Sequence, residues 1–229
     1  MKEKRSFRPL YIIGSCALVL IVLFALLPFG VTKEFDESDY SYALDYFAEL
    51  DGIPVFSQET EYTCYAVSIF ILKNYLGVET TERELIEELG LQDRVKGMLP
   101  GEYLSYANMA LNPIGYSVSL LNPQSEAEIL NIITASLTDG LPVAFFYSAV
   151  DDWNKPHYNT HYGIIYGIDI EQKIVKLSNP YGYLDELSFE ELFAGLTFQN
   201  YESEPFTHLM SRKVGYIKSN NIFVLKEDV

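Results

Sequence analysis

The sequence predicts an α+β fold in which a buried helix at the start of the domain packs on a mostly antiparallel sheet. Patterns typical of helices come first along the chain, and patterns typical of strands come later. The strand-like segments after residue 140 are rich in β-branched and aromatic residues. Hydrophobic residues make up 48% of the 229 positions, so the chain can bury one sizeable core and carry a short appendage.

Helix caps and apolar spacing predict the elements of the first half. After a short helix within 41–50 and an extended segment at 52–58, we expect helices at 64–76, 81–90 and 100–111, a strand at 115–121 and a helix at 125–140. Thr81 and Glu84 have the spacing of a capping box, and Gly77 and Gly90 suit helix ends. The helix at 64–76 is apolar on nearly all sides, so it should be buried.

The second half predicts most of the sheet. We expect strands at 141–148, 161–169 and 172–180, a helix at 188–195 and a last strand at 221–226. Because consecutive strands separated by short turns pair as hairpins, most of the sheet should be antiparallel.

The N-terminus predicts a membrane anchor. Four basic residues, Lys2, Lys4, Arg5 and Arg8, precede an uncharged run at 9–32 whose apolar centre is close to the roughly 20 residues that span a bilayer. The basic flank predicts a cytoplasmic N-terminus. We therefore expect a basic tail at 1–9, a transmembrane signal anchor at 10–29, an acidic stalk at 30–50 and an extracellular domain at 51–229.

Two alternatives to the anchor are a cleaved signal peptide and a lipoprotein signal. A cleaved signal peptide has a shorter apolar region and a small-residue cleavage site, which "FALLPFGVTK" does not offer. A lipoprotein signal would use Cys16, but most of the apolar run follows that residue. An anchored protein with a basic N-terminus and no cysteine framework suits the membrane of a Gram-positive bacterium.

The charge of the remaining chain excludes one class of partner. Residues 1–30 carry four basic side chains and one acidic side chain, a charge of +3. Because the whole chain has a net charge of −16, residues 31–229 carry −19. Such a domain should repel nucleic acid. The main effect that we expect of its negative charge is solubility. We see no metal-ligand spacing, phosphate loop or dinucleotide fingerprint, so no cofactor is predicted.

Cys64 is the candidate nucleophile. With Cys16 in the predicted anchor, Cys64 has no intrachain disulfide partner. It falls where the buried helix should begin, and the N-terminus of a helix favours the reactive thiolate. The alternative is an inert buried thiol.

His161 is the candidate base, and Asn179 is the residue expected to orient it. His161 opens one predicted strand, and Asn179 ends the strand that should pair with it, so a hairpin brings the two together. We expect the Asn179 carbonyl to accept a hydrogen bond from Nδ1–H of His161. His157, in a loop, is an alternative base, and nothing places His208 near Cys64.

Gln58, six positions before Cys64, is the candidate oxyanion donor. Its side-chain amide and the Cys64 backbone N–H could together hold an oxyanion, although Gln58 could equally cap the helix.

The segments "VFSQETEYTCYAVS", "THYGIIYGID" and "LSNPYG" together resemble the papain-like cysteine peptidases, with the strongest likeness to the bacteriocin-processing (double-glycine leader) peptidases and their single-domain relatives. The resemblance spans about residues 52–200 and implies a papain-like fold. It implies Gln58 as oxyanion residue, Cys64 as nucleophile, His161 as base and Asn179 as orienting residue. The chain departs from that pattern at Tyr65, where relatives commonly have Gly, and at Asn179, where bacteriocin processors usually have Asp.

We therefore expect a membrane-anchored extracytoplasmic cysteine peptidase that acts on a peptide or protein substrate. Two alternatives stay open: a Cys-His acyltransferase or deamidase on the same fold, and an inactive binding module if Tyr65 fills the site. The sequence does not determine the oligomeric state.

Overall fold

A computed structural model describes residues 32–94, 96–149, 159–199 and 206–228. These residues form one sheet whose strands are β1 (Phe47–Glu49), β2 (Tyr116–Leu121), β3 (Val143–Ala149), β4 (Asn159–Asp169), β5 (Ile174–Asn179), β6 (Tyr183–Ser188) and β7 (Asn221–Glu227). The strand order is β2-β7-β3-β4-β5-β6, and β1 pairs with the distal end of β4. Every strand pairing is antiparallel, which confirms the predicted sheet type.

Helices cover both faces of the sheet. They are α1 (Cys64–Tyr75), α2 (Glu82–Glu88), α3 (Pro100–Leu111), α4 (Glu126–Thr138), α5 (Phe189–Thr197) and α6 (Phe206–Lys213). One apolar core lies between the sheet and α1, α2 and α3, and the second lies between the sheet and α4 and α5. The α1 helix is buried from Cys64 to Lys73, as its all-round apolar sequence predicts.

The β3 strand shows how one sheet serves two cores. Ala144 and Phe146 face the first core, whereas Val143, Phe145 and Tyr147 face the second. This alternation follows from the two-residue period of a strand. Because both faces are covered, β3 is buried along its whole length and its sequence is apolar almost without interruption.

Local capping signals located the helices correctly. Thr81 and Glu84 form the predicted capping box of α2, Pro100 opens α3, and Ser125 caps α4. The predicted short helix within 41–50 is wrong, since residues 47–49 form β1. The sequence patterns also did not reveal β6, which has no buried residue, or the short helix α6.

Residues 32–50, most of the predicted acidic stalk, pack on the sheet face that carries α4. Tyr40 is buried and its hydroxyl lies 3.0 Å from the Thr134 hydroxyl of α4, while β1 extends the sheet. The packed unit therefore includes residues before the predicted domain start at 51. Within the described residues no helix is long and apolar enough to cross a membrane, and the predicted anchor at 10–29 lies outside them.

Candidate active site

Cys64 lies at the first position of α1, beneath the protein surface. Only 5% of the residue is exposed. Its thiol lies within hydrogen-bond reach of the backbone N–H of Tyr162 on β4, the residue that follows His161. The helix therefore delivers the candidate nucleophile to the same end of β4 that carries the candidate base.

The resting thiol is not activated by its helix position alone. Burial raises the pKa of Cys64 to about 11, and hydrogen bonds from the backbone N–H groups of Tyr162, Tyr65 and Cys64 oppose this rise only in part. The N–H groups at the start of α1 favour the thiolate, as the helix position predicts, but the loss of hydration outweighs them. Deprotonation of Cys64 would therefore require a partner base.

His161 and Asn179 meet inside the protein, as the predicted hairpin of β4 and β5 requires. Nε2 of His161 lies 3.0 Å from Oδ1 of Asn179, and both residues are buried. Asn179 Oδ1 also accepts a hydrogen bond from the backbone N–H of Tyr181 at 3.1 Å. This second bond holds the asparagine side chain in one orientation.

The contact determines which imidazole nitrogen carries the proton. Because Oδ1 of Asn179 is a carbonyl oxygen and cannot donate, the hydrogen bond requires the Nε2–H tautomer of His161. Nδ1 is then the basic nitrogen in the neutral ring. The expected bond through Nδ1–H is therefore wrong about the nitrogen, although the partner residue is the predicted one.

Tyr181 supports the imidazole from one side. Its ring stacks on that of His161 with centroids 4.3 Å apart and planes 10° apart, and Asn159 donates a hydrogen bond to its hydroxyl. Tyr147 contacts the same imidazole edge-on at 5.8 Å. Together with Asn179, these rings hold His161 at one position and one tilt.

Gln58 lies in the same cleft as Cys64. Its Nε2 donates to the Thr60 carbonyl at 2.8 Å, which orients the amide, and its Oε1 is buried without a hydrogen-bond partner among the described residues. An amide nitrogen carries two hydrogens. The second hydrogen is the candidate donor to an oxyanion.

The segment with Gln58 is fastened to the turn that carries Asn179. The Gln58 backbone N–H donates to the Pro180 carbonyl at 2.7 Å, and Ser57 forms a bridge with Tyr181. Gly182 has φ +94°, and a Cβ there would lie 2.8 Å from Cβ of Ser57. This turn therefore positions the candidate oxyanion donor and the orienting asparagine together.

Glu82, at the start of α2, is a site residue that the sequence analysis missed. It is 6% exposed, and its Oε2 accepts a hydrogen bond from the Glu59 backbone N–H at 3.1 Å. It thus holds the start of the loop at 59–63. Glu82 precedes the buried Leu85 by three positions, and this helical spacing was the available signal.

Gln58 and Cys64 open onto a cleft of about 740 Å³, whereas His161 and Asn179 are buried behind its lining. It is lined by residues 58–62, Cys64, Gly97, Asn159, Thr160 and Tyr181. Tyr65 is not among them: its ring is buried in the first core with the Arg94 guanidinium 5.7 Å from its centroid. Tyr65 therefore does not fill the cleft, which removes the structural reason for expecting an inactive site.

Of the other two histidines, the structure describes only His208. His208 lies on α6 against Phe198, and burial together with Arg212 lowers its pKa to about 4. His157 lies outside the described residues. Among the described residues, no group of three or more His, Cys, Asp or Glu side chains could hold a metal ion.

Comparison with known proteins gives one family match and several similar folds. The model of the Peptidase_C39 like family matches residues 50–204. No curated protein sequence matches the chain. The crystal structure described as a C39-like peptidase from Bacillus anthracis has a TM-score of 0.52 at 16% identity, covering 80% of this chain and 98% of that one.

Two further structures have lower scores. A double-glycine motif protease from an AMS/PCAT transporter, solved with its leader peptide, has a TM-score of 0.49 at 13% identity and covers 78% of this chain and 94% of that one. Xylellain, a cysteine protease from Xylella fastidiosa, has a TM-score of 0.49 at 12% identity and covers 88% of this chain and 96% of that one.

Proposed function

Because the chain belongs to the Peptidase_C39 like family of papain-like cysteine peptidases, we propose that it cleaves peptide bonds with Cys64 as nucleophile, His161 as base and Asn179 as the residue that orients the base. The family and the α+β papain-like fold agree with the predictions from sequence. The observation that supports the three roles is the 3.0 Å contact between His161 and Asn179 beside the buried thiol.

The proposed reaction follows from the tautomer of His161. Nδ1 takes the proton from Cys64 Sγ as the sulfur forms a bond to the substrate carbonyl carbon. The side chain of Gln58 and the Cys64 backbone N–H donate to the oxyanion. His161 then gives its proton to the leaving amine as the C–N bond breaks, and a water molecule hydrolyses the thioester and restores the thiol.

Substitutions at these residues test the proposal. Cys64→Ala should abolish cleavage of peptides in a mixed digest, and Gln58→Ala should lower kcat by about 10²–10³. Mass spectrometry of the products separates hydrolysis, which adds water at a broken amide, from acyl transfer or deamidation. Cleavage that persists in Cys64→Ala would contradict the proposal, and a product with an intact chain would favour the acyltransferase or deamidase.

Alkylation of Cys64 tests the acid–base pair without a substrate. Since burial raises the pKa of the thiol to about 11, iodoacetamide should react at neutral pH only if His161 accepts the proton. The apparent pKa of alkylation should therefore be higher in His161→Ala than in the unaltered chain, as followed by mass spectrometry of the Cys64 peptide. An unaltered apparent pKa would mean that the pair is not functional, and the binding-module alternative would replace the peptidase.

The location is part of the same proposal. An apolar run at 10–29 behind a basic tail supports a single-pass anchor with the catalytic domain outside the cell. The full chain should stay with membranes during alkaline carbonate extraction, and protease added to intact cells should degrade the domain. Release into the supernatant would contradict the anchor and favour cleavage of the segment.

A further inference from the structure

The wall of the cleft next to Cys64 is acidic. Glu59 and Glu61 line the cleft, both are exposed, and the described lining contains no lysine or arginine. Both belong to the short loop between Gln58 and Cys64, the two residues proposed to hold the oxyanion. A substrate bound across Cys64 must pass this loop.

The loop is held in place from outside the cleft. Gln58 N–H donates to Pro180 at 2.7 Å, Glu59 N–H donates to Glu82 at 3.1 Å, and within the loop Thr63 N–H donates to the Thr60 carbonyl at 3.4 Å. Because backbone groups at the start and at the end of the loop are hydrogen-bonded, the wall presents its charge at a defined place. A preorganised charge costs less conformational entropy on binding than a mobile one.

This charge is not compensated by a described cation. None of the ion pairs among the described residues involves Glu59, Glu61 or Glu82. Glu82 is buried and its Oε1 has no hydrogen-bond partner among these residues. Burial raises the pKa of Glu82, and the charge of Glu59 raises it further, so the carboxyl groups of Glu59 and Glu82 interact. A positive group of the substrate would relieve this repulsion.

We propose that the cleft selects peptides with a lysine or arginine next to the scissile bond, held by the carboxylates of Glu59 and Glu61. The proposal rests on the proposed function for the choice of a peptide ligand. An exposed ion pair contributes modestly, so two of them should favour a lysine peptide over its glutamate counterpart by about 3- to 20-fold at low salt. The preference should shrink above roughly 0.1 M salt, where the Debye length is about 10 Å.

Binding to the full chain carrying Cys64→Ala tests this preference without turnover. The probes are fluorescent octapeptides of Gly, Ala and Ser whose two central residues are Lys-Lys, Gln-Gln or Glu-Glu, with Kd measured by anisotropy. The lysine peptide should bind most tightly, and the double change Glu59→Gln and Glu61→Gln should remove most of the difference. A control double change, Glu37→Gln and Glu171→Gln, alters the net charge equally at exposed positions outside the cleft lining.

The outcomes separate the two proposals. Three results would overturn the substrate class. The lysine and glutamate peptides could bind with equal Kd, or the lysine peptide could show no measurable binding. The preference for lysine could also survive the change at Glu59 and Glu61. A preference lost equally in the control variant would also overturn it, because net charge would then be the cause. Whether the unaltered chain cleaves peptides is decided separately, by the turnover assay with its Cys64→Ala control.

Discussion

The chemistry of Cys64 depends on a balance between two residue-level effects. The N-terminus of α1 and the Tyr162 N–H favour the thiolate, whereas burial favours the thiol and prevails. In the proposed reaction the proton therefore moves to His161 when the nucleophile acts. Asn179 would prepare His161 for this step, because its carbonyl oxygen keeps the proton on Nε2 and leaves Nδ1 basic.

Glu82 should act as a positioning residue at this scale. Glu82→Ala removes the acceptor for Glu59 N–H and loosens the loop that carries Gln58, so kcat should fall by up to about 10²-fold with a smaller change in KM. Glu82→Gln keeps an acceptor oxygen and should restore most of kcat. Steady-state kinetics of both variants, with Gln58→Ala and the double variant Gln58→Ala/Glu82→Ala, checks this.

The double variant tells positioning from general destabilisation. If Glu82 acts through Gln58, the two losses should not add. Fully additive losses would contradict the assignment. The pH dependence of folding stability is a second readout. Burial raises the pKa of Glu82, so the folded state disfavours the ionised carboxyl. The free energy of unfolding should therefore fall as pH rises past the pKa that Glu82 has in the unfolded chain. Glu82→Gln should reduce this slope.

At the scale of elements, the turn after β5 joins the two halves of the candidate site. Asn179 ends β5 and contacts His161, while Pro180 accepts a hydrogen bond from Gln58. Gly182 closes the turn at φ +94° directly against Ser57. One turn therefore sets the distance between the base and the oxyanion donor.

Gly182→Ala tests that junction. A Cβ would lie 2.8 Å from Ser57 Cβ, in a backbone conformation that side chains rarely adopt, so the loop with Gln58 should move and kcat should fall at least tenfold. Gly115→Ala is the matched control, because its φ is +85° but nothing lies within 4 Å of the added Cβ. Both variants should lose about 1 kcal/mol or more of folding free energy. Equal kcat values in the two variants would contradict the role of the junction.

At the scale of the whole molecule, the chain before residue 51 belongs to the folded unit. Residues 32–50 pack on α4 and add β1 to β4, on the sheet face opposite α1. None of the described residues of this segment lines the cleft.

A chain that begins at residue 51 should accordingly be less stable than one that begins at residue 32. It loses buried Tyr40, the hydrogen bond of that residue to Thr134 and the pairing of β1. Losing one large buried side chain costs about 3–5 kcal/mol, so the loss should be at least of that order. Urea unfolding of the two chains measures it. Equal midpoints would mean that the segment is a spacer after all.

Local chemistry explains which elements could be predicted. Helix ends are set by residues only a few positions away: capping residues, a proline at the first turn and glycines after the last turn. The bounds of α1 to α5 were therefore predicted close to those observed. Residues 41–50 were predicted as a helix because their own sequence favours one, but pairing with β4 makes residues 47–49 a strand. β6 was missed because none of its residues is buried and its sequence lacks an apolar alternation.

The sequence by itself determined the family and the α+β class, and it predicted the four residues proposed to carry the chemistry. Only the tertiary structure decided which nitrogen of His161 is protonated, that burial raises the pKa of Cys64, and that Glu82 holds the loop of Gln58. The physical reason is distance along the chain. Caps and apolar periods are local, whereas hydration, tautomer and charge compensation depend on neighbours that the fold brings from other elements.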